Sequence, residues 1–287
     1  MTNTVPGAAA NAAVNVAALG GNPKLVGIAG DDPNGRTLIR DLTLAGVECT
    51  HVVSDSSFST TTKVRVLAGQ HYAARQQVIR VDYENTGPIS EESKAKLRES
   101  LANAAEGADA IIVSDYDYGV VFPEIFEDAC SISRARGIPL VVDSRFRLAE
   151  RKNATSATPN RDEVEQILGK NFTVGDCAEL RERLGLTALL VTNGNEGMVL
   201  YEKDCQPFQI DVVGSKEPVD VTGAGDTVIA AYALGLASGL SFADAANVAN
   251  YAGGLVVMKK GTASVSPEEV IDSLDGDTEP RASTQAK

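Results

Sequence analysis

The sequence predicts an α/β protein built around a mainly parallel central sheet. Short apolar runs alternate with segments of helical periodicity, most of those runs end in a small or polar residue, and a Gly-rich turn leads into a long Ala-rich helix near the end. Alternation of strand and helix places helices over both faces of a parallel sheet. In such sheets ligands bind past the carboxyl ends of the strands.

Taken in order, the chain opens on an Ala-rich stretch, Gly7–Leu19, that carries Asn11 and Asn15 and follows no positive segment. It reads neither as a signal peptide nor as a membrane span. Buried strands are predicted over Lys24–Gly30, Asp109–Tyr116, Pro139–Ser144, Ala188–Gly194 and Gly197–Glu202. Helices are predicted over Ser90–Glu106, Phe122–Gly137 and Arg161–Gly169, where apolar positions recur at helical spacing and the segments begin near Ser, Pro or Asp. The strand ends then bring Asp115, Asp143, Asn160 and Thr192 to the edge where a ligand would sit.

One segment breaks the rhythm. Thr60–Asn85 alternates like two antiparallel strands around a turn at Ala68–His71. Its cations, Lys63, Arg65, Arg75 and Arg80, either face solvent on an edge strand or point at an anionic substrate.

The 287 residues suit one large domain, expected over 1–274, with a polar, aperiodic tail at 275–287 expected to be disordered. Lys and Arg number 26 against 39 Asp and Glu, a net charge of −13. A protein that coats nucleic acid needs a positive field, so that class is excluded, whereas a local site can still hold a small anion. Cys49, Cys130, Cys177 and Cys205 form no CxxC pair and have His51 and His71 alone to help, which disfavours zinc and fits free thiols in a reducing cytosol. No apolar run is long enough to span a bilayer, and a cytoplasmic protein with no membrane partner is expected.

The strongest chemical signal is Pro218–Gly239, where Gly223-Ala224-Gly225 leads through Asp226 into the apolar helix. Small residues let backbone N–H groups converge at the positive end of a helix, which suits an anion. A carboxylate beside a phosphate is repulsive unless it acts, and accepting the proton of an attacking hydroxyl would be such an action. The alternative is that Asp226 caps the helix and the glycines permit the turn. Neither a Walker A loop nor a dinucleotide-type GxGxxG occurs.

DVTGAGDT, together with PGAAANAAVNVAALG near the start, resembles the two signatures of the ribokinase (PfkB) carbohydrate kinase family. VGIAGDDPNG, SDYDYG, TPNRDE, VTNGNEG and VANYAGGLVVMKKGTASVSP follow the family's order, so the resemblance covers roughly residues 5 to 274. TTKVRVL and QQVIRVD are most similar to its heptose 7-phosphate kinases. The resemblance implies a ribokinase-like three-layer fold with a small β lid at about 60–85, and an ATP-dependent sugar kinase with Mg2+ and a monovalent cation such as K+. It implies Asp226 as base, with the backbone of Gly223, Ala224 and Gly225 as anion hole. Asn160 and Glu163 match an NxxE motif that orders Mg2+, through water, and the nucleotide phosphates; a capping box would leave the same pattern. Thr192, Gly194 and Gly197 match a turn lining the nucleotide, which could also be a plain hairpin turn, and Asn250 matches a residue near adenine. Asp220 and Thr222 are implied for the monovalent cation. Gly7 and Asn11 are implied for sugar hydroxyls, unless they serve helix packing, and Lys63 and Arg65 for an anionic group of the substrate.

The resemblance also sets expectations about what differs. The family's first strand, with its Gly-Asp turn, is expected to be missing, leaving its neighbours short of a partner. Ala8 stands where the first signature has its second Gly, Tyr118 where SDYxKG has Lys, and Arg145 lies near an absent Lys after Asp143. No adenylyltransferase is expected to follow. A homodimer joined through the lid is implied, with a sugar or sugar phosphate as substrate, heptose 7-phosphate leading. The second functional reading is an amino-terminally truncated, weakened member that binds nucleotide or a protein partner.

Overall fold

The computed structural model describes residues 3–68, 76–85, 87–214 and 217–278. Its elements run α1 (Ala9–Ala18), β1 (Gly27–Gly30), α2 (Pro33–Leu44), β2 (Val52–Asp55), β3 (Thr62–Ala68), β4 (Gln76–Tyr83), α3 (Glu91–Ala104), β5 (Ile111–Asp115), α4 (Pro123–Arg136), β6 (Leu140–Ser144), β7 (Ser156–Ala157), α5 (Arg161–Leu168), α6 (Val174–Arg183), β8 (Ala188–Thr192), β9 (Met198–Glu202), β10 (Phe208–Ile210), α7 (Ala224–Ala237), α8 (Phe242–Val256) and α9 (Pro267–Thr278). The five expected strands and three expected helices are all present, trimmed at their ends. α9 runs to Thr278, into the segment expected as a tail from residue 275. Residues 279–287, and the expected turn residues Gly69–His71, lie outside the described residues.

The main sheet has six strands in the order β10-β9-β8-β7-β6-β5. β5 to β8 are parallel, while β9 and β10 return antiparallel because five residues, Asn193–Gly197, join β8 to β9 too tightly for a crossover. β1 and β2 pair in parallel as a separate sheet, and β3 and β4 form the antiparallel hairpin. β5 is therefore an edge of the six-stranded sheet.

Strand alternation sorts the core into two halves. Leu140 and Val142 of β6 and Leu189 and Val191 of β8 join one cluster with residues of α3, α4, α5 and α6. Val141, Ala188 and Leu190 point the other way and join a second cluster with α1, α7, α8 and α9. A sheet covered on both faces by helices is thus reached through period-two burial in runs that are apolar at nearly every position. Fully buried side chains such as Leu189, Leu190 and Leu200 each contribute about 1.5–3 kcal/mol by leaving water. This rigid stack holds the sheet's carboxyl edge and the start of α7 in fixed relation.

Caps define the helices around that edge. Asp32 accepts the Gly35 amide at 2.7 Å to start α2, and its other oxygen accepts the Thr60 amide at 2.8 Å, which pins the root of the hairpin. Asn160 and Glu163 form a reciprocal capping box at the start of α5.

Candidate active site

Asp226 is the third residue of α7 and only 5% exposed. Its Oδ2 accepts a hydrogen bond from Asn11 Nδ2 at 2.6 Å, and its Oδ1 accepts one from the Tyr116 hydroxyl at 3.1 Å. Burial raises its pKa above the usual carboxylate range, and the Asn11 and Tyr116 donors pull it back. Asn11 is itself oriented. Asn15, one turn along α1, donates Nδ2 to the Asn11 carbonyl at 2.9 Å and to Asn11 Oδ1 at 3.4 Å, while Thr227 Oγ1 donates to Asn15 Oδ1 at 2.8 Å. A line of buried amides thus ends on one carboxylate oxygen.

The helix start beside Asp226 is shaped by Gly223, whose φ of 81° belongs to the left-handed region. A Cβ there would lie 2.7 Å from Asn11 Nδ2, so a side chain would push the amide off Asp226. Of the three residues expected to form an anion hole, one has its amide engaged. The Ala224 amide already donates to the Val221 carbonyl at 3.2 Å. Helix geometry gives the next two amides, of Gly225 and Asp226, no acceptor within the helix, and these are the donors an anion would meet.

Across from Asp226 lie the carboxyl ends of β5 to β8. Asp115 is held by Arg151, with Nη2 at 2.7 Å, and by Ser144 Oγ at 3.0 Å, a buried and satisfied pair that anchors the turn. The Asp143 carboxyl makes no hydrogen bond among the described residues. Burial, with Glu163, Asp226 and Asp115 adding negative charge, pushes its carboxyl up to about 7, and Arg145 is the cation that opposes this. Glu163 is likewise raised, first by burial.

Asn160 and Thr192 sit side by side as a parallel bridge, and the Thr192 amide donates to the Pro159 carbonyl at 3.0 Å. The capping alternative for Asn160 and Glu163 is realised. Asn160 Oδ1 accepts the Glu163 amide, and Glu163 Oε2 accepts the Asn160 amide, both at 2.9 Å. Glu163 Oε1 has no part in that box. Gly194–Glu196 is a single helical turn inside the β8–β9 hairpin. Gly197 has a φ of 84°, and a Cβ would strike the Ile210 carbonyl oxygen at 2.1 Å. Asn250, on α8, donates Nδ2 to the Asp211 carbonyl at 2.7 Å. Gly197 and Asn250 therefore converge on the chain just after β10.

No cluster of three or more His, Cys, Asp or Glu able to cage a metal occurs among the described residues. Mg2+ fits without one, since it is bound through one or two carboxylates together with waters and phosphates. Glu163 Oε1 and the unbonded Asp143 carboxyl are the donors present. Asp220 accepts the Thr222 amide at 2.9 Å and the Gly261 amide at 3.0 Å. Its oxygens thus organise the loop before Gly223, and each keeps a lone pair for a monovalent cation.

The substrate-side residues are placed less uniformly. Gly7 is exposed, with nothing within 4 Å of where a Cβ would sit. Lys63 Nζ is bound to Glu84 at 2.6 Å and Asp82 at 3.1 Å and lies 5.5 Å from the centre of the Tyr118 ring, so its charge is spoken for. Arg65 faces Arg80 across the hairpin and has no carboxylate partner among the described residues. Arg75 lies outside them.

Sequence reasoning missed Tyr116, Asn15 and Thr227 as members of this site, and it placed Asp143 at the ligand edge without giving it a role. Tyr116 and Asp143 stand at strand carboxyl ends, and Asn11 and Asn15 are two amides four apart in an Ala-rich helix, a signal that one polar face of α1 is buried for a purpose.

The pfkB family carbohydrate kinase model matches residues 1–269. The bifunctional protein HldE of Geotalea uraniireducens is 39% identical over 274 residues, which cover 93% of this chain and 55% of that protein. The chain thus spans about half the length of the curated relatives it matches. Among solved structures, Arabidopsis thaliana ribokinase complexed with ribose and ATP superposes with a TM-score of 0.72 at 21% identity, covering 92% of this chain and 86% of the other. Escherichia coli phosphofructokinase-2 in complex with potassium gives a TM-score of 0.75 at 19% identity, covering 93% and 85%. At such identities the structures speak for the ribokinase-like fold alone. No described helix is long and apolar enough to cross a membrane. The match to the family model over residues 1–269 and the 39% identity decide the matter: the chain belongs to the pfkB family of carbohydrate kinases.

Proposed function

We propose that this protein is an ATP-dependent sugar kinase whose acceptor is a sugar phosphate, heptose 7-phosphate first among them. The observation that carries the reading is the buried Asp226 carboxylate at the start of α7, oriented by Asn11 and Tyr116 beside amides free to meet an anion. Asp226 takes the proton of an acceptor hydroxyl while that oxygen attacks the terminal phosphorus of ATP. The new P–O bond forms as the bond to the ADP oxygen breaks, and ADP leaves. The Gly225 and Asp226 amides stabilise charge on the transferring group. Mg2+, when bound at Glu163 with Asp143 nearby, would neutralise charge on the nucleotide phosphates. Thr192, Gly194, Gly197 and Asn250 shape the nucleotide side, and a potassium ion at Asp220 and Thr222 would steady the loop before the anion hole.

Gly7 lines the sugar side, and Asn11, buried with its amide on Asp226, serves that side through the base. Arg65 is the hairpin cation with no partner among the described residues, and it leads Lys63 as the contact for a substrate phosphate. Support for a lid-joined homodimer comes from the hairpin's two faces. Val64 opposite Val81 and Val66 opposite Ile79 form an apolar face left exposed, with Ile79 at 52%, whereas Lys63 points to Tyr118 on the body. The reading places the enzyme in the cytoplasm, with its nucleotide. The weakened-member reading is not favoured, because the base, its donors and the helix start are assembled together.

The test is ADP release from MgATP with a panel of sugars and sugar phosphates that includes heptose 7-phosphate. Sugar-dependent release is expected, and Asp226→Asn should lower it by roughly 10²–10⁴-fold while nucleotide still binds. Comparable turnover in Asp226→Asn would remove the base assignment.

A further inference from the structure

Of the two donors on Asp226, Asn11 belongs to a family signature, whereas Tyr116 is assigned no role by any motif described above. The Tyr116 hydroxyl lies 3.1 Å from Asp226 Oδ1, the oxygen that Asn11 does not hold. Its ring is half-buried and comes from the turn after β5. That turn is fixed independently of Asp226. The Asp117 amide donates to Asp115 Oδ1 at 3.0 Å, Asp115 is locked by Arg151 and Ser144, and Asp117 is paired with Arg147 at 2.6 Å. Asp117 also takes a φ of 62°, a conformation that directs the tyrosines on either side of it. One residue further on, the Tyr118 hydroxyl donates to Glu84 Oε1 at 3.0 Å at the root of the hairpin. One anchored turn therefore sends one phenol to the base and the next to the lid.

We infer that Tyr116 is a positioning residue for the phosphoryl-transfer reaction, holding Asp226 in one orientation and keeping it ionised by hydrogen bonding to Oδ1. This rests on the reading of Asp226 as the base. A carboxylate held at one oxygen alone can still turn about its side-chain bond; held at both, it presents its remaining lone pairs in one direction. The phenol suits the task because it donates without surrendering its proton. Burial, followed by the charges of Asp226 and Asp143, raises the Tyr116 pKa well above that of a free tyrosine. The charged groups facing the pair are Asp143 and Arg145 at the end of β6, with Asp115 at the end of β5 and Glu163 on α5 acting through Asp143. Burial opposes ionisation of Asp226, and the Asn11 and Tyr116 donors favour it, so the neutral donor at Oδ1 is a material part of what keeps the base charged.

Two measurements on Tyr116→Phe test this. The first follows sugar-dependent ADP release against pH. The inference expects kcat to fall about tenfold with KM for sugar within twofold, and the acid midpoint of the kcat/KM profile to move up by about one pH unit. A purely structural tyrosine would lower kcat without moving that midpoint, and this result would overturn the inference. The second needs no turnover: the Asp226 carboxyl is titrated by carbon NMR in the whole chain, with its resonance assigned through Asp226→Asn. An upward shift of the midpoint in Tyr116→Phe supports the inference, and an unchanged midpoint overturns it even where no acceptor sugar has been found. Absence of sugar-dependent release by the unsubstituted protein counts against the kinase reading and leaves the carboxyl titration to decide the role of Tyr116.

Discussion

The corner proposed for phosphoryl transfer and the hairpin proposed as a lid use polar side chains in opposite ways. In the corner, Thr227, Asn15 and Asn11 form a directed chain that ends on Oδ2 of Asp226, and Tyr116 donates to Oδ1. Asn11 and Asn15 are almost inaccessible, and their helix packs against α7 in the core. On the lid, Lys63 is shared between Asp82 and Glu84, Arg80 also takes Asp82, and the apolar face of the hairpin meets solvent. Buried groups with fixed partners hold their geometry because any departure leaves a polar atom unsatisfied. Exposed, multiply partnered ions can exchange partners at little cost. The first setting suits chemistry that needs one orientation, and the second suits the moving surface that the proposed lid would be.

The largest effect that sharpens this contrast should follow from Asn11→Ala. It removes the first of the two hydrogen bonds that lower the Asp226 pKa and leaves Oδ2 buried without its partner. A bond to a charged group contributes about 1.5–3 kcal/mol, so turnover should fall roughly 10- to 100-fold. The sign of the pH effect is fixed. The folded pKa of Asp226 already lies above its unfolded value, so the folded state holds its proton to higher pH and stability falls as pH rises through that interval. Asn11→Ala widens the interval. Its loss of stability should be larger at pH 8 than at pH 4, and the acid limb of kcat/KM should move upward. Urea unfolding at the two pH values and a pH–rate profile check both, and equal losses at pH 4 and pH 8 would break the link between the amide chain and the ionisation of the base.

How far the sequence announced each region follows the same division. The core strands were legible because burial on both faces leaves no polar position in runs such as Leu140–Val142 and Leu189–Val191. Asp226 and the glycine turn were legible because a local run of residues builds a local structure. The Tyr116–Asp226 bond spans 110 residues, and the Thr227–Asn15 bond spans 212. No local pattern encodes such partners, since they depend on how β5 and α1 are stacked against α7. Asn160 and Glu163 show a different limit, because capping and ligand binding call for the same two residue types at the same spacing. On the hairpin, the alternation of Lys63 and Arg65 with Val64 and Val66 announced two antiparallel strands, but not that the hairpin's own carboxylates hold Lys63.

A smaller effect is expected from changing both lid cations, Lys63→Ala with Arg65→Ala. Since Lys63 is already neutralised by Asp82 and Glu84, the loss should come mainly through Arg65 and should appear as a several-fold rise in KM for sugar phosphates. Neutral sugars should be affected little, and kcat should hold. Parallel initial-rate series with a phosphorylated and an unphosphorylated sugar separate the outcomes. An equal rise for both would mean the hairpin acts by closing, not by recognising charge, and a fall in kcat would show that the lid shares in the geometry of the corner.

The smallest effect tests the corner's own foundation. Ala8 caps α1 three residues before Asn11, with φ 53° and ψ −139°, a region that suits glycine because a Cβ there crowds the backbone. Strain of this kind costs about 1–3 kcal/mol, against which glycine loses about 0.5–1 kcal/mol through the greater freedom of its unfolded chain. Ala8→Gly should therefore stabilise the fold by about 1 kcal/mol, read as a higher urea midpoint with an unchanged denaturant slope. A lowered midpoint would show that alanine is accommodated without strain. The corner's rigidity would then owe nothing to a forced helix start and would rest on the amide chain alone.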